Sequence, residues 1–191
     1  MNSIPALFAC IEAQEHRFQN FLARLTAQES FSLDRESVSL AAELTAAFAK
    51  ELGFSVEEHP FPRAGSGLVV SRETGSVSAP IGFVAHLDTV HPAGSFPDSL
   101  KPAPEGGLYG PGIVDCKGGV AVALLAMYAL KELGFSRPLR LLLTPDEEVS
   151  NRLTGDDGIA FLQSHVKDCA AAFVCECGKR DEAVVERKGI T

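Results

Sequence analysis

A histidine and an aspartate two positions apart, His86 and Asp88, have the types and the spacing of a metal ligand with its orienting partner. They come at the end of the apolar segment 79–87, and side chains two positions apart on a strand leave the same face of a sheet. A carboxylate commonly fixes the ring of a metal-binding histidine. Such a pair is also common as an ordinary surface hydrogen bond, so a metal site requires further ligands nearby.

A second candidate is Asp115, which stands in the glycine-rich segment GPGIVDCKGG at residues 110–119. A nucleotide-binding loop does not fit this segment. The GxGxxG pattern requires glycine where Asp115 stands, and a Walker loop requires Ser or Thr after Lys117. The glycines instead allow a sharp turn that projects Asp115 into a cleft. A plain strand-to-helix turn with an aspartate near the helix start is the alternative interpretation.

Three consecutive acids, Asp146, Glu147 and Glu148, directly follow the apolar run 139–143. A charge run is usually a solvated loop, but adjacent carboxylates repel one another and a bound cation relieves that repulsion. Glu176 adds to the cation interpretation, because it stands within the apolar segment AAAFVCECG. A glutamate buried among apolar residues must be paired, protonated or coordinated.

Together, His86, Asp115, Glu148 and Glu176 supply nitrogen and carboxylate ligands suited to one or two divalent ions such as Zn²⁺, Co²⁺ or Mn²⁺. The CEC triplet at 175–177 offers a soft-metal site as an alternative. Two cysteines alone cannot complete a tetrahedral zinc site, so burial of small apolar side chains is the favoured interpretation of that triplet.

The elements that must position these ligands alternate between strand and helix from residue 80 onward, which is typical of a largely parallel sheet covered by helices. Ligands of such sheets gather at the carboxyl ends of the strands. We therefore predict an α/β fold in which a mostly parallel mixed sheet is flanked by helices. The runs 139–143 and 171–177 are predicted to be buried strands, and Pro60 and Pro62 place 55–61 at an edge.

The remaining predicted strands are 67–72, 79–87 and the possible start of another at 183–190. The predicted helices extend from Pro5 to residue 28, from Asp34 or Ser37 to residue 52, and over 117–133 and 158–166, with a long polar loop at 91–112.

Composition and charge exclude several classes of function. The 191 residues are 46% hydrophobic and carry a net charge of −8 without a cluster of Lys or Arg, which argues against a nucleic-acid partner. We find no signal peptide, and the longest apolar run, 120–130, has about 11 residues where a membrane helix needs about 20. Five cysteines without paired spacing fit reduced thiols. We therefore predict a cytoplasmic protein that binds neither nucleic acid nor membrane.

The order of the motifs resembles the M20 family of metallopeptidases and amidohydrolases: HLDTV at 86–90, GPGIVDCKGG at 110–119, TPDEE at 144–148 and the later glutamate. This family includes glutamate carboxypeptidases, acetylornithine deacetylases, succinyl-diaminopimelate desuccinylases and aminoacylases. The resemblance implies a zinc-peptidase-like catalytic domain with two divalent ions, zinc first and cobalt or manganese as alternatives. The implied reaction is hydrolysis of an amide bond in a small-molecule peptide or N-acyl amino acid.

The same resemblance implies a ligand set. Asp115 would bridge the two ions, and His86 and Glu176 would be terminal ligands of the two different metals. Glu148 would be the other carboxylate ligand.

The resemblance also implies the groups that act beside the metals. Asp88 would orient His86, and Glu147 would be the general base. A cis peptide bond is implied between Asp115 and Cys116, and His91 receives no role.

Members of this family are considerably longer than 191 residues, so residues 1–191 correspond to the N-terminal portion of the catalytic domain, without the lid or dimerisation domain and the C-terminal return. Those parts supply one more histidine ligand and a histidine that stabilises the oxyanion, and His16, His59 and His165 do not replace them. We expect a fragment or a naturally shortened form that is weakly active or inactive alone and prone to self-association, whose full-length form is a homodimer. The alternative is a binding module or inactive remnant that keeps the fold without turnover.

Overall fold

The computed structural model describes residues 3–96, 100–102, 107–178 and 184–185. Its helices are α1 (Ile4–Ala13), α2 (Glu15–Ala27), α3 (Arg35–Glu51), α4 (Gly118–Glu132) and α5 (Asp156–Val166). Its strands are β1 (Ser55–Pro60), β2 (Ser66–Arg72), β3 (Ile81–His86), β4 (Lys101–Pro102), β5 (Leu108–Tyr109), β6 (Leu139–Thr144) and β7 (Ala171–Val174). Short helical turns cover Ile113–Lys117 and Glu147–Val149.

In the described ranges, the main sheet has five strands in the order β1-β2-β6-β3-β7. β6, β3 and β7 pair in parallel, whereas β1 and β2 complete the sheet with antiparallel pairings. This confirms the predicted α/β fold with a mixed sheet flanked by helices. It also confirms β1 as an edge strand, as Pro60 and the nearby Pro62 indicate.

The central strands alternate their side chains between two cores. Leu141 and Leu143 of β6 lie in the larger core with α2, α3 and α4, whereas Leu142 lies in the smaller core with Phe161 of α5. Because side chains alternate along a strand, helices cover both faces of this part of the sheet. Packing on both faces fixes the position of the carboxyl ends of these strands.

The N-terminal helices begin and end at recognisable capping residues. The Asp34 side chain accepts hydrogen bonds from the first amides of α3, and Gly53 follows that helix with a φ of +81°. The helix predicted from Pro5 to residue 28 is divided at Gln14 into α1 and α2. The apolar spacing continues across this division, because both helices face α4, and so it does not reveal the break.

β7 corrects the prediction of a buried strand at 171–177. The strand ends at Val174, and Phe173 and Val174 are 57% and 65% exposed. An apolar run is typical of a strand covered on both faces, but β7 is the last strand of the sheet and pairs with β3 alone within the described residues. The predicted loop 91–112 contains the short β4–β5 pair, and the possible strand at 183–190 lies outside the described residues except for 184–185.

Within the described part of the chain, one helical stretch, Ile113–Glu132, is long and apolar enough to cross a membrane, with a mean hydropathy of 1.7. Val120, Leu124 and Met127 of this stretch are fully buried in the larger core. The core helix of a globular protein can have the same length and composition, so the stretch gives little evidence for a membrane segment.

An ion pair fastens β6 to the segment after α5, and it provides a test of the packing. Arg140 donates to both carboxylate oxygens of Asp168, at 2.7 and 3.3 Å, and to the carbonyl of His165 at 2.6 Å. The hydrogen bond from Arg140 lowers the pKa of Asp168. A lowered carboxyl pKa stabilises the fold above the ordinary carboxyl pKa, and this contribution disappears as the pH falls.

We expect Asp168→Asn to lower the free energy of unfolding at pH 7 by up to about 1 kcal/mol, the range of solvent-exposed ion pairs. The difference between the two proteins should shrink as the pH falls towards 3. Urea denaturation of both proteins across this range measures it. A difference that stays constant with pH would show that the charge of Asp168 plays no part.

Candidate metal centre

The carboxyl ends of β3, β6 and β7 meet at one edge of the sheet. His86 is the last residue of β3 and pairs in register with Thr144, the last residue of β6. β7 pairs with β3 as far as Val84 and Val174, so continuing this register places Glu176 beside His86. Because the three strands are parallel, residues far apart in the sequence come together at this edge.

Asp115 reaches the same edge from the turn that precedes α4. Gly112 begins this turn with a φ of +69°, and a Cβ there would lie 2.8 Å from the Thr89 side chain. The peptide bond between Asp115 and Cys116 is cis, as the resemblance implies. The Lys117 amide donates to the Gly112 carbonyl at 2.7 Å and closes the turn. Only glycine satisfies both the positive φ and the close approach at position 112.

A second glycine of the motif, Gly119, lets the start of α4 approach the segment after β7. A Cβ at this position would overlap the carbonyl oxygen of Cys175. The glycines of the motif therefore bring the Asp115 turn close to the residue before Glu176. This agrees with the interpretation of the segment as a turn that projects an aspartate.

The Nε2 atom of His86 faces a ring of carboxylates. It lies 2.8 Å from Asp115 Oδ1, 3.5 Å from Glu176 Oε1 and 4.0 Å from Glu147 Oε2. Ligand atoms of His86, Asp115 and Glu148 also lie within 4.8 Å of one another. The His86 side chain is fully buried, whereas those of Asp115 and Glu147 are about half exposed, at 49% and 53%. The imidazole therefore forms the floor of a site that opens to solvent on its carboxylate side.

The buried carboxylate of Asp88 ties His86 to the Glu147–Val149 turn. Its Oδ1 atom lies 3.2 Å from Nδ1 of His86, which is also 3.0 Å from the Asp88 carbonyl oxygen. The amides of Glu147 and Glu148 donate to Oδ1 and Oδ2 of Asp88 at 3.1 and 3.2 Å. Because Asp88 engages Nδ1, it leaves Nε2 of the ring directed at the other carboxylates.

Residues 82–190, more than half of the chain, match the family described as Peptidase family M20/M25/M40. The chain belongs to this peptidase family. Its match includes every residue of the predicted site, from His86 to Glu176.

Relatives of this M20 chain are longer proteins. An acetylornithine deacetylase from Salmonella arizonae is 32% identical over 126 residues, which cover 62% of this chain and 32% of that protein. The structure of the di-peptidase Dug1p from Saccharomyces cerevisiae superimposes with a TM-score of 0.76 at 17% identity, covering 91% of this chain and 41% of Dug1p. The YXEP protein of Bacillus subtilis, a dinuclear metal binding peptidase from the M20 family, gives a TM-score of 0.58 at 14% identity, covering 85% and 43%.

The chain thus spans less than half the length of each of these relatives. The two superimposed structures share its fold, which agrees with the predicted peptidase-like architecture.

Negative charge accumulates in the M20 site and shifts the pKa of its acids. Burial raises the pKa of Glu148, and the charge of Asp115 raises it further, while the charge of His86 opposes both. Burial likewise raises the pKa of Glu176 to about 7, again with His86 opposing and Asp115 adding to the shift. A bound cation would remove this repulsion and hold all of these carboxylates ionised.

The pKa of His86 is raised as well, which for an imidazole favours the charged form. Burial by itself lowers the pKa of His86, but hydrogen bonds to Asp88 and Cys116, together with their charges, raise it to about 12. Without a metal ion this raised pKa favours the protonated ring at neutral pH, which places a positive charge opposite the carboxylates. A metal ion that binds Nε2 must displace that proton.

A divalent ion fits this donor set. Nitrogen and carboxylate ligands lie about 2.0 to 2.2 Å from zinc, so two ligands of one ion lie roughly 3 to 3.5 Å apart. The distances from His86 Nε2 to Asp115 and Glu176, 2.8 and 3.5 Å, bracket this range. Glu147, at 4.0 Å and 53% exposed, lies on the outer side of the site.

Three buried residues that sequence reasoning assigned no role support the site from behind. The Ser32 hydroxyl donates to Asp88, and the His86 amide donates to the Cys116 sulfur at 3.3 Å. The Lys117 ammonium donates to the carbonyl of Gln28 at 2.7 Å, and its burial lowers its pKa to about 8. No local pattern marks these residues, because each acts on a segment distant in the sequence.

Asp146, one of the three consecutive acids, holds the base of the loop instead of facing a metal. Its carboxylate accepts from the amides of Leu153 and Thr154 at 3.0 and 2.8 Å, and from the Thr154 hydroxyl. The three adjacent acids thus separate into an anchor and two groups at the site, Glu147 and Glu148.

The soft-metal alternative receives little support. Among the described residues, the groups with metal-binding geometry contain neither Cys175 nor Cys177, although one of them contains Cys116.

His91 packs edge-on against Phe96 with ring centroids 4.7 Å apart.

Proposed function

We propose that this chain is the metal-binding part of a hydrolase that cleaves an amide bond in a peptide or an N-acyl amino acid. The observation that supports this best is the convergence of Asp115, Glu147 and Glu176 on Nε2 of one buried histidine. Glu148 lies within metal-binding distance of the same histidine and of Asp115. Membership of the M20/M25/M40 peptidase family gives the class of reaction. Relatives named acetylornithine deacetylase and di-peptidase suggest small N-acyl or dipeptide substrates.

Two divalent ions are the proposed cofactors, with zinc as the first choice and cobalt or manganese as alternatives. His86, Asp115 and Glu176 would hold one ion, because their ligand atoms surround a single point next to Nε2. The 3.5 Å between His86 and Glu176 favours a shared ion over ligation of two different ions. Asp115 would bridge to a second ion that Glu148 also holds.

Bound divalent ions would supply a water molecule of lowered pKa and polarise the scissile carbonyl. Glu147 is the proposed general base, and its exposed carboxylate can take the proton of that water and pass it to the leaving nitrogen. Asp88 holds the amide of Glu147 and the ring of His86 at once, so it aligns base and ligand. The two neighbouring glutamates thereby receive different roles from one turn.

Residues 1–191 are proposed to be the N-terminal portion of the catalytic domain, with the lid elsewhere in a longer, homodimeric protein. The shares of the relatives covered, 32% and 41%, support the greater length of the whole protein, whereas the lid and the homodimer rest on the family resemblance alone. The cytoplasmic location stays a prediction.

Metal titration followed by a hydrolysis assay tests the proposed function. Isothermal titration of the metal-free chain with Zn²⁺ or Co²⁺ should show at least one tightly bound ion. Release of free amine from N-acetylornithine and from dipeptides by the full-length protein should require that ion and stop with a chelator. Absence of binding by Zn²⁺, Co²⁺ and Mn²⁺ would contradict the proposal, and binding without hydrolysis by the full-length protein would favour the binding-module alternative.

A further inference from the structure

Both carboxylate oxygens of Asp88 contact groups of the metal centre. It is fully buried, and a buried carboxylate is stable only when hydrogen-bond donors surround it. Two of its donors are the amides of Glu147 and Glu148, and a third group, Nδ1 of His86, faces Oδ1. The orientation of this carboxylate therefore fixes both the histidine and the turn that carries the glutamates.

The shortest of the hydrogen bonds to Asp88 comes from outside these elements. Ser32 belongs to the segment between α2 and α3, and its hydroxyl lies 2.6 Å from Oδ2 of Asp88. The same hydroxyl is 3.1 Å from the carbonyl of Thr89. A hydroxyl has one proton, and a short bond to a charged acceptor is the stronger choice, so the proton goes to Asp88.

Ser32 is itself held in place. It is 1% exposed, and its amide donates to the Thr89 carbonyl at 3.0 Å. The neighbouring Phe31 forms a parallel bridge with Thr89, and the Thr89 amide donates to the Ser30 carbonyl at 2.8 Å. The segment 30–32 is thus hydrogen-bonded to both the amide and the carbonyl of Thr89, the residue after Asp88. These bonds fix the backbone that carries the Ser32 hydroxyl.

We propose that Ser32 is a positioning residue for the metal centre: its hydroxyl locks the Asp88 carboxylate in the rotamer that orients His86 and the Glu147–Glu148 backbone together. Without this bond, Oδ2 keeps only the amide of Glu148 as a donor among the described contacts. The carboxylate can then turn, and both the imidazole and the glutamate turn lose their common support. The consequence for metal binding rests on the proposed function, whereas the consequence for the turn does not.

The test compares Ser32→Ala with Ser30→Ala. Ser30 lies in the same segment, is equally buried, and its hydroxyl has no hydrogen-bond partner among the described residues, so its removal is a matched control. In the metal-free chain, Ser32→Ala should speed hydrogen exchange of the Glu147 and Glu148 amides by about tenfold, measured by NMR. Ser30→Ala should leave both rates unchanged.

The second readout is Co²⁺ or Zn²⁺ affinity, which Ser32→Ala should lower by about 10- to 100-fold, as is usual for partners of metal ligands. Ser32→Thr keeps the hydroxyl, so it should return both the amide exchange rates and the metal affinity to those of the unchanged chain. The variants are compared under conditions in which their free energies of unfolding are equal. Equal behaviour of Ser32→Ala and Ser30→Ala in the exchange experiment would overturn the positioning role. Faster exchange in a chain that binds no metal would instead support the role of Ser32 and contradict the proposed function.

Discussion

Replacing Glu147 by Gln should leave divalent-metal binding within about twofold of the unchanged chain and lower kcat by about 10²- to 10⁴-fold, the usual contribution of a general base. Gln has the shape of Glu but cannot accept the proton of an attacking water. The Glu147 carboxylate is 53% exposed and is the outermost of the groups measured from His86 Nε2, at 4.0 Å, so the loss of its charge affects the ligands little. The amide that donates to Asp88 belongs to the backbone and is unchanged.

The adjacent residue provides the control for this prediction. Glu148→Gln makes the same chemical change one position later, at a group that lies within metal-binding distance of His86 and Asp115. We expect this variant to lose metal affinity first and activity as a consequence. Steady-state kinetics and metal titration of both variants, in the full-length protein, separate the two roles. If Glu147→Gln loses its metal, or if it keeps full activity, the assignment of Glu147 as the base is wrong.

Much of the fold follows from patterns that operate over short distances. The apolar stripe of α3, its Asp34 cap and the glycine after it define one helix. The buried run of β6 predicts a central strand because both of its faces meet helices. These features depend on residues a few positions apart, which is the range over which periodicity and capping act.

The convergence of the site was predictable for a topological reason. His86 ends one apolar strand and Glu176 follows another, and parallel strands end at the same edge of a sheet. Asp115 could be placed at this edge because the glycine-rich turn precedes a helix. The distances themselves depend on the register of β3 with β7 and on the approach of Gly119 to Cys175, which no sequence pattern specifies.

The errors arise where a long-range partner decides the outcome. The exposure of Phe173 depends on which elements pack against β7, which pairs with β3 alone among the described residues, and the strand's own apolar pattern does not encode this. Ser32 supports Asp88 from 56 positions away. A serine in a short polar segment has many ordinary interpretations, so only the tertiary contact reveals its function.

Replacing Asp115 by Asn should have the largest effect on metal binding, because this carboxylate is proposed to contact both ions. Zinc affinities of about 10 to 16 kcal/mol for four ligands correspond to roughly 3 kcal/mol for each, so the loss of one carboxylate should weaken binding by about 10²- to 10³-fold. Replacing a ligand of one ion alone, such as Glu176, should weaken one metal-binding step. Asp115→Asn should instead weaken every binding step observed. Isothermal titration with Zn²⁺ measures these steps.

The same variant has a consequence that needs no metal. Burial and, after it, the Asp115 carboxylate raise the pKa of Glu176 to about 7 against the opposing charge of His86, so Asp115→Asn should lower the pKa of Glu176 in the metal-free chain. NMR titration of the Glu176 carboxyl carbon measures this shift. Asp168→Asn makes an identical substitution at the Arg140 ion pair, away from the site, and should change neither the zinc affinity nor this pKa. If Asp115→Asn lowers the pKa of Glu176 but leaves zinc binding intact, Asp115 is a neighbour of the metal site without being its bridging ligand.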